Sequence, residues 1–358
     1  MSESGMEAAI IGAGPIGLEV AVGLKRAGID YVQFDARQIG YTISWFAPQT
    51  RFFSSAERIA IAGVPLQVPD QAKASREEYL AYLRGVVQQF DLKVNTYEPI
   101  VGIEGIRGGE DGFILTSRPD EGLGAERKYR VRKLILATGG TDRPRRVGVS
   151  GEDLPHVSHY FRDPHLYFRK KLLIVGGKNS AVEAALRCYN VGAELAFSYR
   201  RSQLDPQSIK YWLLPEINGH IASGKIAGHF CTTVRSIAPD HVVLGPSIFA
   251  SAGGGAPAPE QKIPADFVLL LIGYEADLSL LRMAGVALRG DCDAPVFDPH
   301  TMRTNVPNLY VAGTATGGTQ DKYHVFIENC HVHADRIVAA ITGATEPPSP
   351  EAFARPES

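Results

Sequence analysis

A glycine-rich turn near the start of the chain has the residue types and spacing of a phosphate-binding loop. Gly12, Gly14 and Gly17 follow a short apolar run and lead into a helix-like run. In such a turn the first glycine permits the tight bend, the second lets a pyrophosphate approach the backbone, and the third lets the helix pack on the strand. An acid, Asp35, comes 23 residues after the first glycine, where a carboxylate can accept hydrogen bonds from a ribose diol.

This first turn therefore predicts a dinucleotide site of the FAD type. The helix that follows it would add free N–H groups and the positive end of its dipole for the phosphates. The alternative interpretation is a glycine turn that serves only packing. The predicted FAD contacts are Gly12, Gly14, Pro15, Ile16, Gly17 and Asp35.

A second turn of the same kind, GGKNSA, occupies residues 176–181 and differs from the first at its middle position. It keeps the first glycine and a small last residue, but Lys178 replaces the middle glycine. The strand after it ends in Tyr199-Arg200-Arg201 rather than in an acid. Two arginines at that position bind a ribose phosphate by charge and by bidentate hydrogen bonds, so this turn predicts the 2′-phosphate of NADPH. The alternative is a solvated arginine pair after a surface strand.

Neither arginine is assigned to the phosphate individually. The predicted NADPH contacts are Gly176, Gly177, Lys178, Asn179, Ser180, Arg200 and Arg201.

The two turns require elements that position them, and the hydrophobic pattern supplies a strand, a helix and a second strand around each. A further apolar strand closes each unit, at 133–139 and at 267–273. The pattern predicts an α/β protein with two Rossmann-like domains. The predicted elements are strand 8–12, helix 16–27 and strand 31–35 in the first unit, and strand 172–176, helix 179–189 and strand 195–199 in the second.

Length and composition are consistent with two globular domains. The chain has 358 residues and a net charge of −2, which does not favour nucleic acid or an anionic membrane as a partner. The polar N-terminus has no signal-peptide pattern, and the apolar runs are too short to span a bilayer. The four cysteines are far apart and form no C-x-x-C pair, so we expect no disulfide framework and a cytoplasmic location.

Several longer stretches resemble one known group of proteins. Ala137-Thr138-Gly139 precedes the second unit, and the late segment 304–313 reads TNVPNLYVAG. Together with the two turns, they resemble the two-dinucleotide-binding flavoproteins, in particular the thioredoxin-reductase-like branch. Within that branch the chain is similar to the putative bacillithiol-disulfide reductase (YpdA-type) family from about residue 8 to 343. The stretches that carry this resemblance are PQTRFFSSAERIAIAGVPL, SHYFRDPHLYFRKKLLIVGGKNSAVEAAL, TNVPNLYVAG and FIEN.

The resemblance implies the cofactors FAD and NADPH and an NADPH domain inserted into a split FAD domain. The implied boundaries are 1–150 and 276–345 for the FAD domain and 151–275 for the NADPH domain. The Pro-, Glu- and Ser-rich composition of 346–358 predicts a disordered tail. The resemblance also implies a loop beside the flavin at 49–55, contacts to the ribityl chain near 314–315, and a helix that begins within 323–328 and points at the isoalloxazine. Ordinary helix packing is the alternative for that last segment. The further contacts implied are Gln49, Thr50, Ala137, Thr138, Gly139, Gly313, Thr314, Phe326 and Ile327.

Three departures from the family pattern bear on the reaction. Residues 158–163 read SHYFRD where thioredoxin reductases have a C-x-x-C dithiol, and Ile16 stands where bacillithiol-disulfide reductases often have a cysteine. Thr314 replaces an aspartate that contacts the ribityl chain in many relatives. We expect Cys188 and Cys330 to be core residues. His331 and His333 lie two apart on a helix, so they would face different directions and no metal site is expected.

The sequence thus predicts an NADPH-dependent FAD oxidoreductase, and the resemblance implies a low-molecular-weight disulfide such as bacillithiol disulfide as its acceptor. A small redox protein is the other acceptor considered, as in a ferredoxin or flavodoxin reductase. A flavin monooxygenase and a non-enzymatic redox sensor that binds flavin or nucleotide remain open. By analogy with the family we expect a homo-oligomer.

Overall fold

The structure is a computed structural model that describes residues 5–120, 124–249, 259–320 and 324–344. The chain divides into two compact units. The first contains Gln49–Arg143 with the described residues of Met1–Ser44 and Glu275–Glu357, and the second contains Pro144–Tyr274 with Trp45–Pro48. The predicted tail at 346–358 lies outside the described residues, as does Tyr323.

The secondary structure alternates between strands and helices. The helices are α1 (Pro15–Arg26), α2 (Tyr41–Ser44), α3 (Ala56–Ile59), α4 (Arg76–Gln89), α5 (Asn179–Asn190), α6 (Leu214–Ala222), α7 (Ser279–Met283) and α8 (His331–Thr342). The strands are β1 (Met6–Ile11), β2 (Tyr31–Phe34), β3 (Val94–Asn95), β4 (Ile100–Gly105), β5 (Phe113–Ser117), β6 (Arg127–Leu136), β7 (Arg143–Pro144), β8 (Val157–Ser158), β9 (Lys171–Val175), β10 (Glu194–Tyr199), β11 (Ala227–Phe230), β12 (Thr232–Ile237), β13 (His241–Pro246), β14 (Gln261–Pro264), β15 (Phe267–Leu270), β16 (Tyr274–Glu275), β17 (Leu288–Arg289), β18 (Ala294–Pro295) and β19 (Leu309–Val311).

The sheet of the first unit has the order β3-β2-β1-β6-β5-β4, and β19 also pairs with β6. β1 runs parallel to β2 and β6, and β19 runs parallel to β6. Ile11 pairs with both Phe34 and Leu136, and Leu136 also pairs with Val311. The four parallel strands therefore end level at one edge of the sheet, which is where α/β proteins bind their ligands.

The second unit repeats this arrangement. Its sheet has the order β11-β10-β9-β15-β8, and all of its pairs are parallel. Val175 pairs with both Ser198 and Leu270, as Ile11 does with its two partners in the first unit. A separate antiparallel sheet, β12-β13-β14, accompanies it. The prediction of an α/β protein with two Rossmann-like units, the second inserted between two sections of the first, is confirmed.

Two predicted strands have different bounds in the structure: the strand expected at 267–273 ends at Leu270, and the strand expected at 133–139 differs at both ends. The segment 133–139 was expected to be a strand, whereas β6 begins at Arg127 and ends at Leu136. Its first half is largely exposed and pairs antiparallel with β5, so it lacks the continuous apolar run of a buried strand. The strand ends early because residues 137–139 leave the sheet as a turn.

The first helix is adapted to its position between the turn and the sheet. Pro15 occupies the start of α1, where its missing N–H group costs no hydrogen bond. A Cβ built on Gly23 would lie 2.8 Å from the side chain of Val338, so this glycine allows α1 and α8 to pack closely. Among the helices in the described ranges, none is long and apolar enough to cross a membrane.

Candidate cofactor sites

The first glycine turn leaves the level edge of the sheet between β1 and α1. Cβ atoms built on Gly12 and Gly17 would overlap the carbonyl oxygens of Ala137 and Gly12, respectively. Packing therefore accounts for these two glycines. A Cβ built on Gly14 would have no protein atom within 4 Å, so packing does not account for the middle glycine. The open space beside Gly14 fits a ligand that approaches the backbone, as the pyrophosphate of FAD does.

Asp35 lies directly after β2 and its carboxylate is turned toward this turn. Its Oδ2 accepts a hydrogen bond from the backbone N–H of Ala13 at 2.7 Å, and its Oδ1 accepts one from Arg37 N–H at 2.8 Å. Burial raises the pKa of Asp35, while these two N–H donors oppose the increase. A carboxylate so placed can accept hydrogen bonds from ribose hydroxyls at the same edge.

Gln33 is a site residue that the sequence pattern did not single out. Its side chain is fully buried, and its Nε2 donates to the carbonyl oxygen of Gly12 at 2.9 Å. Gln33 and Asp35 lie two residues apart. Gln33 bonds to the carbonyl group of Gly12, and Asp35 bonds to the N–H group of the next residue, Ala13. A polar residue inside a predicted buried strand was the one feature of the sequence that could have indicated this role for Gln33.

Two later segments lie beside the first turn. Ala137 N–H donates to Ile11 O at 2.8 Å, and Thr314 Oγ1 accepts a hydrogen bond from Gly140 N–H at 3.0 Å. A Cβ built on Gly313 would lie 3.3 Å from the Cβ of Ile16. The structure thus brings the turn, the segment 137–139 and the pair 313–314 to one place.

The second turn has the same frame but a different surface. A Cβ built on Gly176 would overlap Leu271 O, as Gly12 would overlap Ala137 O in the first unit. A Cβ on Gly177 would overlap the aromatic ring of Tyr199. Tyr199 occupies the position in the second unit that Asp35 occupies in the first. Each comes directly after the residue that pairs with the end of the first strand, Ser198 with Val175 and Phe34 with Ile11. An aromatic ring therefore covers the second turn where a carboxylate contacts the first.

The remaining predicted residues of this turn surround the start of α5. Lys178 precedes the helix with an exposed side chain, and Ser180 is also exposed. Asn179 Oδ1 accepts a hydrogen bond from Lys210 N–H at 2.6 Å. Arg200 and Arg201 are exposed after β10. The turn, the helix start and the two arginines form one polar, positively charged region.

Comparison with known proteins identifies the family. The model of the pyridine nucleotide-disulphide oxidoreductases matches residues 9–313. The chain belongs to this family. It is 34% identical over 338 residues to the bacilliredoxin reductase Bdr of Bacillus subtilis (strain 168), an alignment that covers 94% of this chain and 97% of that one. It is also similar to the structure of the bacillithiol disulfide reductase Bdr (YpdA) from Staphylococcus aureus, with a TM-score of 0.84, 33% identity and coverage of 94% and 98%.

A third relative has a name that gives a different activity. The ferredoxin–NADP reductase of Ignicoccus hospitalis is 26% identical over 315 residues, which covers 87% of this chain and 90% of that one. The resemblance stated from the sequence is confirmed. As a member of the pyridine nucleotide-disulphide oxidoreductase family, the chain is a flavoprotein oxidoreductase whose cofactors are FAD and NADPH.

Two of the four cysteines are poorly suited to disulfide exchange. Cys188 and Cys330 are fully buried, as expected of core residues. Burial raises the pKa of Cys188 to about 12 and raises that of Cys330 further. Cys231 and Cys292 are half-buried. The nucleophile in disulfide exchange is the thiolate, which a raised pKa disfavours.

Position 16 and the SHYFRD segment are the two places at which the sequence departs from the thiol pattern that the resemblance implies. Ile16 is 5% exposed and packs in the main core of the first unit. In the second unit, His159 Nε2 lies 2.9 Å from Oε1 of the buried Glu152. Glu152 also accepts hydrogen bonds from Val147 and Gly148 N–H. A packed side chain and a polar network around the buried Glu152 therefore occupy the two places at which the resemblance implied a thiol.

His331 and His333 contact separate partners. His331 Nδ1 lies 2.8 Å from Glu19 Oε2, and its Nε2 lies 2.8 Å from Arg58 O. Because both partners accept hydrogen bonds, this geometry requires a doubly protonated ring. Burial opposes the charge, but the hydrogen bond to Glu19 and its charge raise the pKa of His331 above its ordinary value.

His333 supports the first site, a role that the sequence did not indicate. Its Nδ1 accepts a hydrogen bond from Gly313 N–H at 3.1 Å. Burial, followed by the charges of Arg336 and His331, lowers the pKa of His333 to about 4, which keeps the ring neutral and able to accept this bond. His333 therefore fixes the position of Gly313 beside the glycine turn.

The predicted flavin loop is attached to α4 by hydrogen bonds. Gln49 has a φ of +61°, and its N–H donates to Glu77 Oε2 at 3.1 Å. Thr50 O accepts a hydrogen bond from Arg76 N–H at 2.8 Å. These bonds hold the loop at the start of α4 and do not connect it to the glycine turn.

The helix expected to begin within 323–328 begins later. Phe326 N–H donates to Asn329 Oδ1 at 2.8 Å, and Asn329 Nδ2 donates to His324 O at 2.7 Å. Ile327 starts a single 3₁₀ turn, Ile327–Asn329, and the α-helix starts only at His331. The prediction of a helix start within 323–328 is wrong for the α-helix, because the Asn329 side chain holds 324–326 in a non-helical turn.

Proposed function

We propose that the protein uses NADPH to reduce a low-molecular-weight disulfide, such as bacillithiol disulfide, by way of its bound FAD. The balanced reaction converts NADPH, a proton and one disulfide to NADP⁺ and two thiols. The proposal rests on the nearly full-length similarity to proteins named bacilliredoxin reductase and bacillithiol disulfide reductase. The two glycine turns supply the binding sites that such a reaction needs.

We assign FAD to the first unit. The open space at Gly14 would take the pyrophosphate, Asp35 the ribose, and the segments around Gly139 and Thr314 the chain that leads to the flavin. The further FAD contacts that we propose are Gly12, Pro15, Ile16, Gly17, Gln49, Thr50, Ala137, Thr138, Gly313, Phe326 and Ile327. When bound, FAD supplies hydride acceptance and electron transfer, and the protein supplies binding and orientation.

We assign NADPH to the second unit. Arg200 and Arg201 would bind its 2′-phosphate, and Lys178 at the start of α5 would add a point charge. Tyr199 leaves no acid to accept the ribose 2′-hydroxyl of NADH, which favours the phosphorylated cofactor. The further contacts that we propose are Gly176, Gly177, Asn179 and Ser180.

A ferredoxin or flavodoxin reductase is the second candidate function. Ile16 and the two buried, high-pKa cysteines favour it, because electron transfer to such a protein needs no thiol. The 26% identical relative carries the name ferredoxin–NADP reductase. This candidate predicts the same cofactors and differs only in the acceptor.

An anaerobic assay of the purified yellow protein separates these functions. We expect NADPH to bleach the flavin and bacillithiol disulfide to restore its colour, with two thiols formed per NADPH consumed. Bleaching that only added ferredoxin or flavodoxin reverses would support the second candidate and contradict the first. Oxygen consumption coupled to a substrate would indicate a monooxygenase, and bound FAD that NADPH does not reduce would indicate a sensor.

The proposal includes a cytoplasmic, homo-oligomeric protein. The four cysteines form no disulfide in the structure, and each lies within the described residues. Reduced thiols are typical of the cytoplasm. Light scattering of the purified protein measures its mass, and a mass of 38.7 kDa would contradict the oligomer.

A further inference from the structure

The aromatic ring of Phe249 contacts the ends of two long basic side chains. The Cζ atoms of Arg200 and Arg201 are 5.5 Å and 5.4 Å from the centroid of its ring. Phe249 itself is 40% exposed. Among the residues that the structure describes, no carboxylate forms an ion pair with either guanidinium.

A hydrogen-bonded chain fixes the ring relative to the arginines. Phe249 N–H donates to Ser247 Oγ at 3.0 Å, and the same hydroxyl donates to Arg200 O at 2.6 Å. Ser247 N–H donates to Cys231 O, and Cys231 N–H donates to Arg201 O. Ser247 is 5% exposed, so this connection is shielded from water. The ring is thus attached through the backbone to both residues whose side chains it contacts.

This arrangement places two like charges at one aromatic ring, and no carboxylate among the described residues is paired with them. Adjacent guanidinium groups repel each other and, when exposed, normally spread into solvent. The negative face of an aromatic ring attracts both cations and reduces this cost. Holding both groups near one point before binding lowers the ordering that a ligand must impose, and the ligand that such a pair suits is a dianion.

We infer that Phe249 is a positioning residue for cofactor specificity, which holds Arg200 and Arg201 together as a receptor for the 2′-phosphate of NADPH. The inference rests on the proposed function, which assigns that phosphate to the two arginines. It adds a residue from the end of the β12-β13-β14 sheet, nearly fifty positions away in sequence, to the specificity of the turn after β10.

The test compares two replacements at the ring. Phe249→Leu keeps an apolar side chain of similar size but removes the aromatic face, and Phe249→Trp keeps that face. Calorimetry of the FAD-loaded proteins with 2′,5′-ADP and with 5′-AMP isolates the contribution of the 2′-phosphate. For Phe249→Leu we expect the affinity for 2′,5′-ADP to fall about fivefold to tenfold and the affinity for 5′-AMP to stay unchanged. Phe249→Trp should bind both ligands as the wild type does.

The double variant Arg200→Ala/Arg201→Ala distinguishes two kinds of failure. In one outcome the wild type prefers 2′,5′-ADP and the double variant loses that preference, while Phe249→Leu keeps it. This result would overturn the role of Phe249 and leave the phosphate assignment intact. Equal weakening of both ligands in Phe249→Leu would overturn it as well, because that result indicates a general structural effect. A wild type that binds 2′,5′-ADP no more tightly than 5′-AMP would overturn the phosphate assignment in the proposed function itself.

Discussion

Gly14 and Gly12 stand two residues apart in the same turn, yet their surroundings differ. Gly12 has a φ of +112°, and a Cβ on it would overlap Ala137. Gly14 has a φ of −74°, which any residue adopts, and has open space around it. The fold therefore needs the first glycine, whereas packing within the protein does not require the second.

For Gly14→Ala we expect a stability within about 1 kcal/mol of the wild type when FAD is removed. The added methyl group would occupy the space of the pyrophosphate, so we expect FAD affinity to fall about tenfold or more, equivalent to about 1.4 kcal/mol. Fluorescence titration of the FAD-free protein with FAD measures this change. Gly12→Ala is the contrasting variant and should lose about 1–3 kcal/mol of stability without FAD. Unchanged FAD affinity in Gly14→Ala would refute the assignment.

For Gly177→Ala we expect weaker binding at the second turn and unchanged binding of FAD, the reverse of the pattern expected for Gly14→Ala. The methyl group would displace the ring of Tyr199, at a cost of about 1–3 kcal/mol in stability. Affinity for 2′,5′-ADP should fall with the distorted turn, while the FAD content should stay at the wild-type ratio. Gly219→Ala is a suitable control, because this α6 residue has no atom near a built Cβ and alanine favours the helix by about 1 kcal/mol. Loss of FAD in Gly177→Ala would contradict this expectation.

Residue spacing predicted some of these positions and could not predict others. The distance in sequence from Gly12 to Asp35 was sufficient to expect both at one turn, and hydrogen bonding agrees. Gln33 reaches Gly12 only because of the register between β1 and β2, which spacing does not encode. His333 bonds to Gly313 from another element, so no local pattern could have indicated it.

At the scale of elements, an ion pair connects α1, which follows the first glycine turn, to α8, which carries His333. Glu19 lies on α1 and His331 on α8, and Arg58 O completes the contacts of the ring. The unfolded histidine has a pKa of about 6.5, and the folded value is higher. The contribution of the pair to stability is therefore complete below about pH 6.5 and is lost as the pH rises through the folded pKa.

His331→Gln should lower the free energy of unfolding by about 1.5–3 kcal/mol at pH 6 and by less at pH 9. Urea unfolding at the two pH values measures the difference between the variant and the wild type. His165→Gln is the control, since this exposed histidine lies in a 3₁₀ turn and should give the same small effect at both values. A His331→Gln deficit that does not depend on pH would contradict a charged ring in the folded protein.

The bounds of helices and strands were predicted well where apolar residues recur at regular spacing along the whole element. β9, α5 and β10 match their predicted bounds to within one residue, because each buries a regular face. β6 changes from an exposed antiparallel partner to a buried parallel one, and only its second half resembles a core strand. The late start of α8 depends on side-chain hydrogen bonds of Asn329, which hydrophobic periodicity does not register.

At the scale of the whole molecule, the sequence predicts two units with the same arrangement of strands and helices. Both units were expected from the two turns, and their registers proved equivalent. What differs is the chemistry placed on the common frame: a carboxylate and an open glycine in one unit, an aromatic ring and two arginines in the other. That difference carries the assignment of the two cofactors.

We expect the two ligands to stabilise the protein separately, because their sites belong to different units. FAD at about one hundred times its Kd should add about 2.7 kcal/mol to the FAD-free protein, and 2′,5′-ADP at the same excess should add a similar amount. Thermal unfolding with neither, either and both ligands tests this. If 2′,5′-ADP had no effect in any condition, the second turn would not be a nucleotide site.

The contact between Tyr199 and Gly177 also constrains how the cofactor preference of this chain could change over evolution. Replacing the tyrosine by an acid would leave a bare glycine and two nearby cations, and adding a side chain at the glycine first would collide with the tyrosine. Because the two residues are in contact, the effect of a substitution at Gly177 depends on the residue at position 199. A route to NADH would have to change Tyr199 and the arginine pair together while Gly177 stays a glycine, which makes the present preference difficult to reverse by a single substitution.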